Sequence, residues 1–184
     1  MKTADHEIEK LSTCIKEGKL CAINRDMIDD LSIYCYPLWL TDQLVLVANV
    51  YDFQIDGYKI LRTDCITEVF CGQAEAFNER IMQAEGVRVN RESALEPLPS
   101  FKHVCMQLRE RNETTIVQCE SYEESRFFIG RILEVRKTEV LLRTFDGLGI
   151  WDEQPIAVPF SDITCVAYGG RYATIISKYL RESE

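Results

Sequence analysis

Apolar residues in the stretch DHEIEKLSTCIKEG (5–18) recur at three- and four-residue spacing, with Ile8, Leu11 and Ile15 on one face and Gly18 placed to end the segment. That spacing predicts a helix. From residue 19 onward the period shortens. Runs rich in β-branched and aromatic residues alternate with polar turns, the pattern of consecutive antiparallel strands. It predicts strands near 19–27, 31–40, 43–50, 57–64 and 65–71. A second helical pattern follows, with Phe77, Ile81 and Met82 ahead of Gly86.

The same succession then runs again. Ser100 stands as N-cap to FKHVCMQLRERN, in which Val104, Cys105 and Leu108 share a face. Strand patterns recur near 115–122, 126–135, 139–146, 155–161 and 162–168, and Tyr172, Ile175, Ile176, Tyr179 and Leu180 make a closing helical stripe. The phrase RTDCITEVFCG (62–72) is echoed by FSDITCVAYGG (160–170), with Ile66 over Ile163 and Val69 over Val166 at a shift of 97 residues. LSIYCYPLWLTDQLVLVANV lies over FFIGRILEVRKTEVLLRTFD at a shift of 96, with Ile33 over Ile129, Tyr36 over Ile132 and Leu46 over Leu142. The chain therefore reads as an internal duplication. One repeat covers 1–86, a proline-bearing connector 87–99, and a second repeat 100–184.

A helix followed by five short, bent strands resembles the Sm-like family of small β-barrels. FFIGRILEV resembles that family's second strand, where a glycine, here Gly130, relieves crowding at a bend. VPFSDITCV resembles its closing segment, with Ile163 and Val166 inward. The resemblance covers most of both halves apart from the connector and the helices that close each repeat. It implies a mainly β, α+β chain of two tandem five-stranded antiparallel barrels, each with an N-terminal and a C-terminal helix. It also implies assembly through exposed strand edges, as a compact pseudo-dimer or a ring. The family's RNA pocket uses an Asp and an Asn after the second strand and Arg-Gly before the fifth. The Asp position falls near Leu40 and Arg136, the Asn position near Gln43 and Glu139, and the Arg-Gly position on Arg62-Thr63 and Pro159-Phe160. Only Arg62 matches, so the pocket is expected to be absent or heavily altered.

Composition sharpens this picture. The 184 residues are 46% hydrophobic, with 21 basic against 30 acidic side chains and a net charge of −9. An overall negative field works against nucleic acid and leaves RNA only a local basic strip. No apolar stretch is long enough to span a membrane, and no hydrophobic leader follows Met1, so the cytoplasm is the expected compartment. The eight cysteines form no CxxC pair and most fall at apolar positions of the predicted helices and strands, which reads as free thiols packed as small hydrophobes. With only His6 and His103, both in helical patterns, neither a zinc site nor a His-dependent nucleophile can be assembled. No cofactor and no catalytic residue is expected.

Three features carry candidate binding chemistry. The segment TFDGLGIWDEQP (144–155) joins Phe145, Asp146 and Trp151 in an inter-strand loop. Its aromatics either anchor a partner or fold back over one end of the barrel. The basic run Arg126, Arg131, Arg136, Lys137 and Arg143 either guides a phosphate backbone, with Tyr168, Arg171 and Tyr172 stacking nearby, or is a solvated strand face interrupted by Glu134 and Glu139. The acidic turns DMIDD (26–30) and YEESR (122–126) occupy matching places but lack the burial that tunes catalytic carboxylates. These patterns point to a non-catalytic interaction protein whose partner is another macromolecule, a protein by preference. The alternative is RNA held by Arg62, Arg131, Arg136 and Arg143. YGGRY (168–172) lacks the Lys and Ser/Thr of a phosphate-binding loop and reads as a strand-to-helix turn.

Overall fold

A computed structural model describes residues 2–121 and 123–182. The chain is β-rich and divides into two compact units, Met1–Pro99 and Ser100–Glu184. In the first, helix α1 (Lys2–Glu17) precedes strands β1 (Cys21–Asn24), β2 (Ile33–Leu40), β3 (Leu44–Tyr51), β4 (Gln54–Arg62) and β5 (Glu68–Phe70), and helix α2 (Gln73–Ala84) follows. In the second, helix α3 (Phe101–Glu110) precedes β6 (Thr114–Glu120), β7 (Ser125–Val135), β8 (Glu139–Thr144), β9 (Ile156–Pro159) and β10 (Cys165–Tyr168), and the short helix α4 (Arg171–Ile176) follows.

The expectation of two closed barrels is corrected by the strand order. The ten strands make open antiparallel sheet, ordered β5-β1-β2-β3-β4 in the first unit and β10-β6-β7-β8-β9 in the second. No ladder joins β4 to β5 or β9 to β10 among the described residues, so neither run closes on itself. Apolar alternation selects strands and faces, whereas closure depends on tilt, shear and pairing of the end strands, which alternation does not encode. The end strand β5 offers only three residues to a would-be partner β4 of nine.

Within each unit the repeat is visible in three dimensions. Val69 pairs with Ile23 and Val166 with Val117, so the last strand of each copy lies against its first. Val69, Ile66, Val166 and Ile163 are all buried. Helix α1 ends at Gly18, whose positive φ lets Lys19 N–H reach Cys14 O and Gly18 N–H reach Ile15 O, a paired C-terminal closure. Its inner face buries Leu11 and Cys14. The buried Glu7 carboxylate accepts from Val69 N–H at 2.6 Å and from Lys10 Nζ, tying α1 to β5.

Four details depart from the sequence pattern. Ser100 precedes α3, but its hydroxyl meets His103 Nδ1 at 2.9 Å instead of a backbone N–H. Residues 87–99 fold onto the first unit: Leu95 and Leu98 are buried, and Trp39 Nε1 donates to Leu95 O at 2.7 Å. Helix α4 stops at Ile176; Ala173 and Ile176 on it and Leu180 beyond it face inward, while Tyr172, Ile175 and Tyr179 are exposed. Phe77 on α2 is likewise exposed, under the Arg80 guanidinium. All eight cysteines are free and six are buried; Cys21 and Cys35 pair directly across β1 and β2 with sulfurs 3.9 Å apart.

Candidate functional site

The second unit assembles its candidate residues around Trp151. Strands β7 and β8 bring Arg131 and Arg143 directly opposite each other, a like-charge pair that would repel if left bare. Both guanidinium groups lie over the Trp151 ring, 5.6 Å and 5.2 Å from its centroid, where the negative face of the indole offsets their charge. The ring meets Phe145 edge-on at 5.6 Å and packs against the buried cluster of Ile129, Phe145 and Ala173, as do Ile176 and Leu180.

The neighbouring Gly130 is what allows this approach. A Cβ there would stand 2.0 Å from Arg143 O, so any side chain would push β8 away from β7.

The loop that carries Trp151 is held at both ends. Thr144 Oγ1 donates to Asp152 Oδ2 at 2.5 Å, and Asp152 N–H returns to Thr144 O at 3.0 Å. Asp146 Oδ1 accepts from Leu148 and Ile150 N–H, which folds the glycine-rich tip onto itself. The C-terminal segment then closes over it: Trp151 N–H donates to Arg181 O and Arg181 N–H to Gly149 O. Glu182 completes the cluster by accepting from Arg143 at 3.1 Å and 2.5 Å. The Arg143 guanidinium donating to it holds the Glu182 carboxyl below its usual range, and the same contact keeps Arg143 more firmly charged.

Of the sequence-selected residues, Arg131, Arg143, Phe145, Asp146 and Trp151 come together here. Others do not. Tyr168 is buried in β10, leaving no free face for stacking. Arg171 and Tyr172 begin α4, exposed. Arg136 sits at the opposite end of the β7–β8 hairpin, held by Glu134 and Glu139 at 3.0 Å and 2.8 Å. Arg126 pairs with Asp162 at 3.2 Å, and Lys137 is exposed at the hairpin turn. In the first unit Arg62 is clamped by Asp64 at 2.8 Å and 2.5 Å, which lowers the Asp64 pKa. Tyr122 of the second acidic turn lies outside the described residues; Asp26, Asp30, Glu123 and Glu124 are exposed.

Sequence reasoning missed Glu182 and the Arg181 backbone, because a lone acid 39 positions beyond Arg143 leaves no local spacing to read. It also missed a cavity of about 260 Å³ lined by Arg111, Thr114, Arg131, Thr174 and Ser177 among others. Arg131 lines it, but its Nε is buried without a hydrogen-bond partner and is not open to the cavity. Among the described residues no group of three or more His, Cys, Asp or Glu side chains is arranged to hold a metal ion, and no helix is long and apolar enough to cross a membrane. Set against known proteins, the chain matches no family model, no curated protein and no solved structure.

Proposed function

We propose that this is a non-catalytic interaction protein that binds another protein. The observation that carries the reading is the fate of the basic strip. Arg62, Arg136 and Arg143 each already hold a carboxylate of their own chain, and the Arg131 guanidinium lies over Trp151. A phosphate backbone would have to displace these partners against a net charge of −9. The cytoplasm remains the proposed setting, supported by buried thiols packed as apolar side chains. Kinship with the Sm-like family also stands as a proposal, resting on Gly130 and on the matched final strands, with self-association through strand edges as its corollary.

RNA binding is the second reading, favoured by the juxtaposition of Arg131 and Arg143 across β7 and β8. Fluorescence anisotropy with labelled single-stranded RNA, titrated with salt, separates the two. The protein-binding reading expects no saturable signal at roughly physiological ionic strength. Saturable binding that weakens in Arg131→Glu and Arg143→Glu, with a flattened salt dependence, would overturn it in favour of RNA.

A further inference from the structure

The first unit carries an exposed apolar end that its own fold leaves uncovered. The register placing Cys35 opposite Asn49, and Ile23 opposite Ile33, brings the β1–β2 loop (25–32) and the β3–β4 turn (52–53) to the same end of this sheet. Four large apolar side chains stand in solvent there: Met27 at 74% exposure, Leu31 at 72%, Tyr51 at 73% and Phe53 at 44%. A cluster of this kind at one end of a sheet marks an interaction surface more often than an isolated exposed residue does.

The turn that presents the aromatics is held in an unfavourable conformation. Tyr51 pairs with Gln54, so Asp52 and Phe53 form a two-residue hairpin loop, with φ of 48° and 58°. Glycine or asparagine normally occupies such positions, and a bulky ring there is a rare outlier. Strain of this kind is found where a side chain is being aimed at something.

The rim identifies the partner. Asp26 and Asp30 are exposed beside Met27 and Leu31, and Asp52 sits between Tyr51 and Phe53. Asp29 is already used, since its Oδ1 accepts from Leu31 N–H and its Oδ2 faces Arg25 at 3.5 Å. Exposed apolar side chains interleaved with exposed carboxylates repel phosphate-bearing surfaces and complement a segment that alternates apolar and basic residues.

We propose that this end of the first unit docks a basic, amphipathic peptide segment of a partner protein, with Met27, Leu31, Tyr51 and Phe53 as anchors and Asp26, Asp30 and Asp52 steering it. The proposal rests on the protein-binding reading and specifies its surface.

The test uses the full chain and three labelled synthetic peptides, each about 15 residues long, read by fluorescence anisotropy. One is a Leu/Lys amphipathic helix, one a Leu/Glu counterpart, and one a Ser/Lys sequence of equal charge without apolar residues. Binding by Leu/Lys alone is expected, weakened about tenfold in the Met27→Ser/Leu31→Ser double variant. It should weaken severalfold at high salt in the native chain and much less in Asp26→Lys/Asp30→Lys. Unchanged melting of both variants separates lost docking from lost folding.

Equal binding of Leu/Glu or Ser/Lys overturns the proposal, as does Leu/Lys binding indifferent to the double variant. Failure of all three peptides overturns this surface while leaving protein binding elsewhere intact. Saturable binding of single-stranded RNA or of phosphatidylserine vesicles, run in parallel, would instead overturn the protein-binding reading itself.

Discussion

The two units finish the same strand plan in opposite ways. In the second, the β8–β9 loop is long enough to turn back. Its aromatics are used internally: Phe145 is buried, Trp151 is covered by two arginines, and the Arg181–Glu182 segment closes over it. In the first, the corresponding connection is a two-residue turn that cannot fold back, so Tyr51 and Phe53 remain outside. The difference shows that loop length decides whether an aromatic residue becomes core or surface. The tryptophan in the glycine-rich loop, read either as an anchor for a partner or as a cover folded back over one end, packs against the core of its own unit. The anchors now proposed lie instead in a short turn of the other copy.

The largest expected effect comes from breaking the close approach that the second unit depends on. Gly130→Val should cost more than about 3 kcal/mol, because its Cβ would collide with the Arg143 carbonyl and neither backbone can yield without parting β7 from β8. Thermal melting should show a drop of roughly 10 °C or more. Tyr34 aligns with Gly130 and is exposed on β2, so Tyr34→Gly should cost only about 1 kcal/mol. Equal losses at the two positions would mean that the glycine has no special packing role.

Next in size is Trp151→Ala, which removes the ring joining Ile129 and Phe145 to the arginine pair and leaves Arg131 facing Arg143. A loss of about 2–3 kcal/mol is expected. Tyr51→Ala, at the matching end of the first unit, should stay within about 0.5 kcal/mol. If denaturant melts gave the two variants similar midpoints, the contrast between a closed end and a bare end would fail.

Much of this architecture was legible. The helical period around Leu11, the strand runs, and the superposition of Val69 on Val166 all depend on alternation and spacing, which burial in a sheet converts directly into structure. The closed barrel was not legible, since end-strand pairing leaves no periodic trace. The closing stripe held only in part. Ile176 and Leu180 pack inward as the spacing implied, but α4 ends at Ile176, and Tyr172, Ile175 and Tyr179 of the same stripe are exposed. The basic run was read correctly as residues and incompletely as chemistry, because the acids that occupy it lie two, three, 36 and 39 positions away, and the last two have no sequence signature.

A smaller effect concerns how each first helix is attached. Helix α3 meets its sheet through Val104, Cys105 and Leu108, whereas α1 also uses the Glu7 carboxylate. Burial alone would raise the pKa of Glu7, but its hydrogen bonds to Lys10 and Val69 N–H prevail and hold it below the usual value. Its folded pKa is thus depressed. The stability it contributes is present above the unfolded value of 4.5 and is lost as pH falls through the folded one. Glu7→Gln should cost about 1 kcal/mol at neutral pH and flatten the acid limb of a melting-against-pH curve. The exposed Glu182 has the same sign of shift, yet Glu182→Gln should move melting by no more than about 1 °C.

One further small effect has the opposite sign. Phe53 occupies a left-handed conformation that costs a bulky residue about 1 kcal/mol relative to glycine. Phe53→Gly removes that strain but also removes one aromatic ring that is only partly buried and enlarges the freedom of the unfolded chain. The net gain should therefore be about 0.5 kcal/mol, a rise of roughly 1–2 °C in melting. The same variant should bind the Leu/Lys peptide more weakly, since the ring it deletes is one of the four anchors. Gain of stability with loss of binding is what a turn strained for recognition predicts. A variant that gained stability and kept its affinity would show that the strain serves no partner, and the bare end of the first unit would then differ from the closed end of the second in loop length alone.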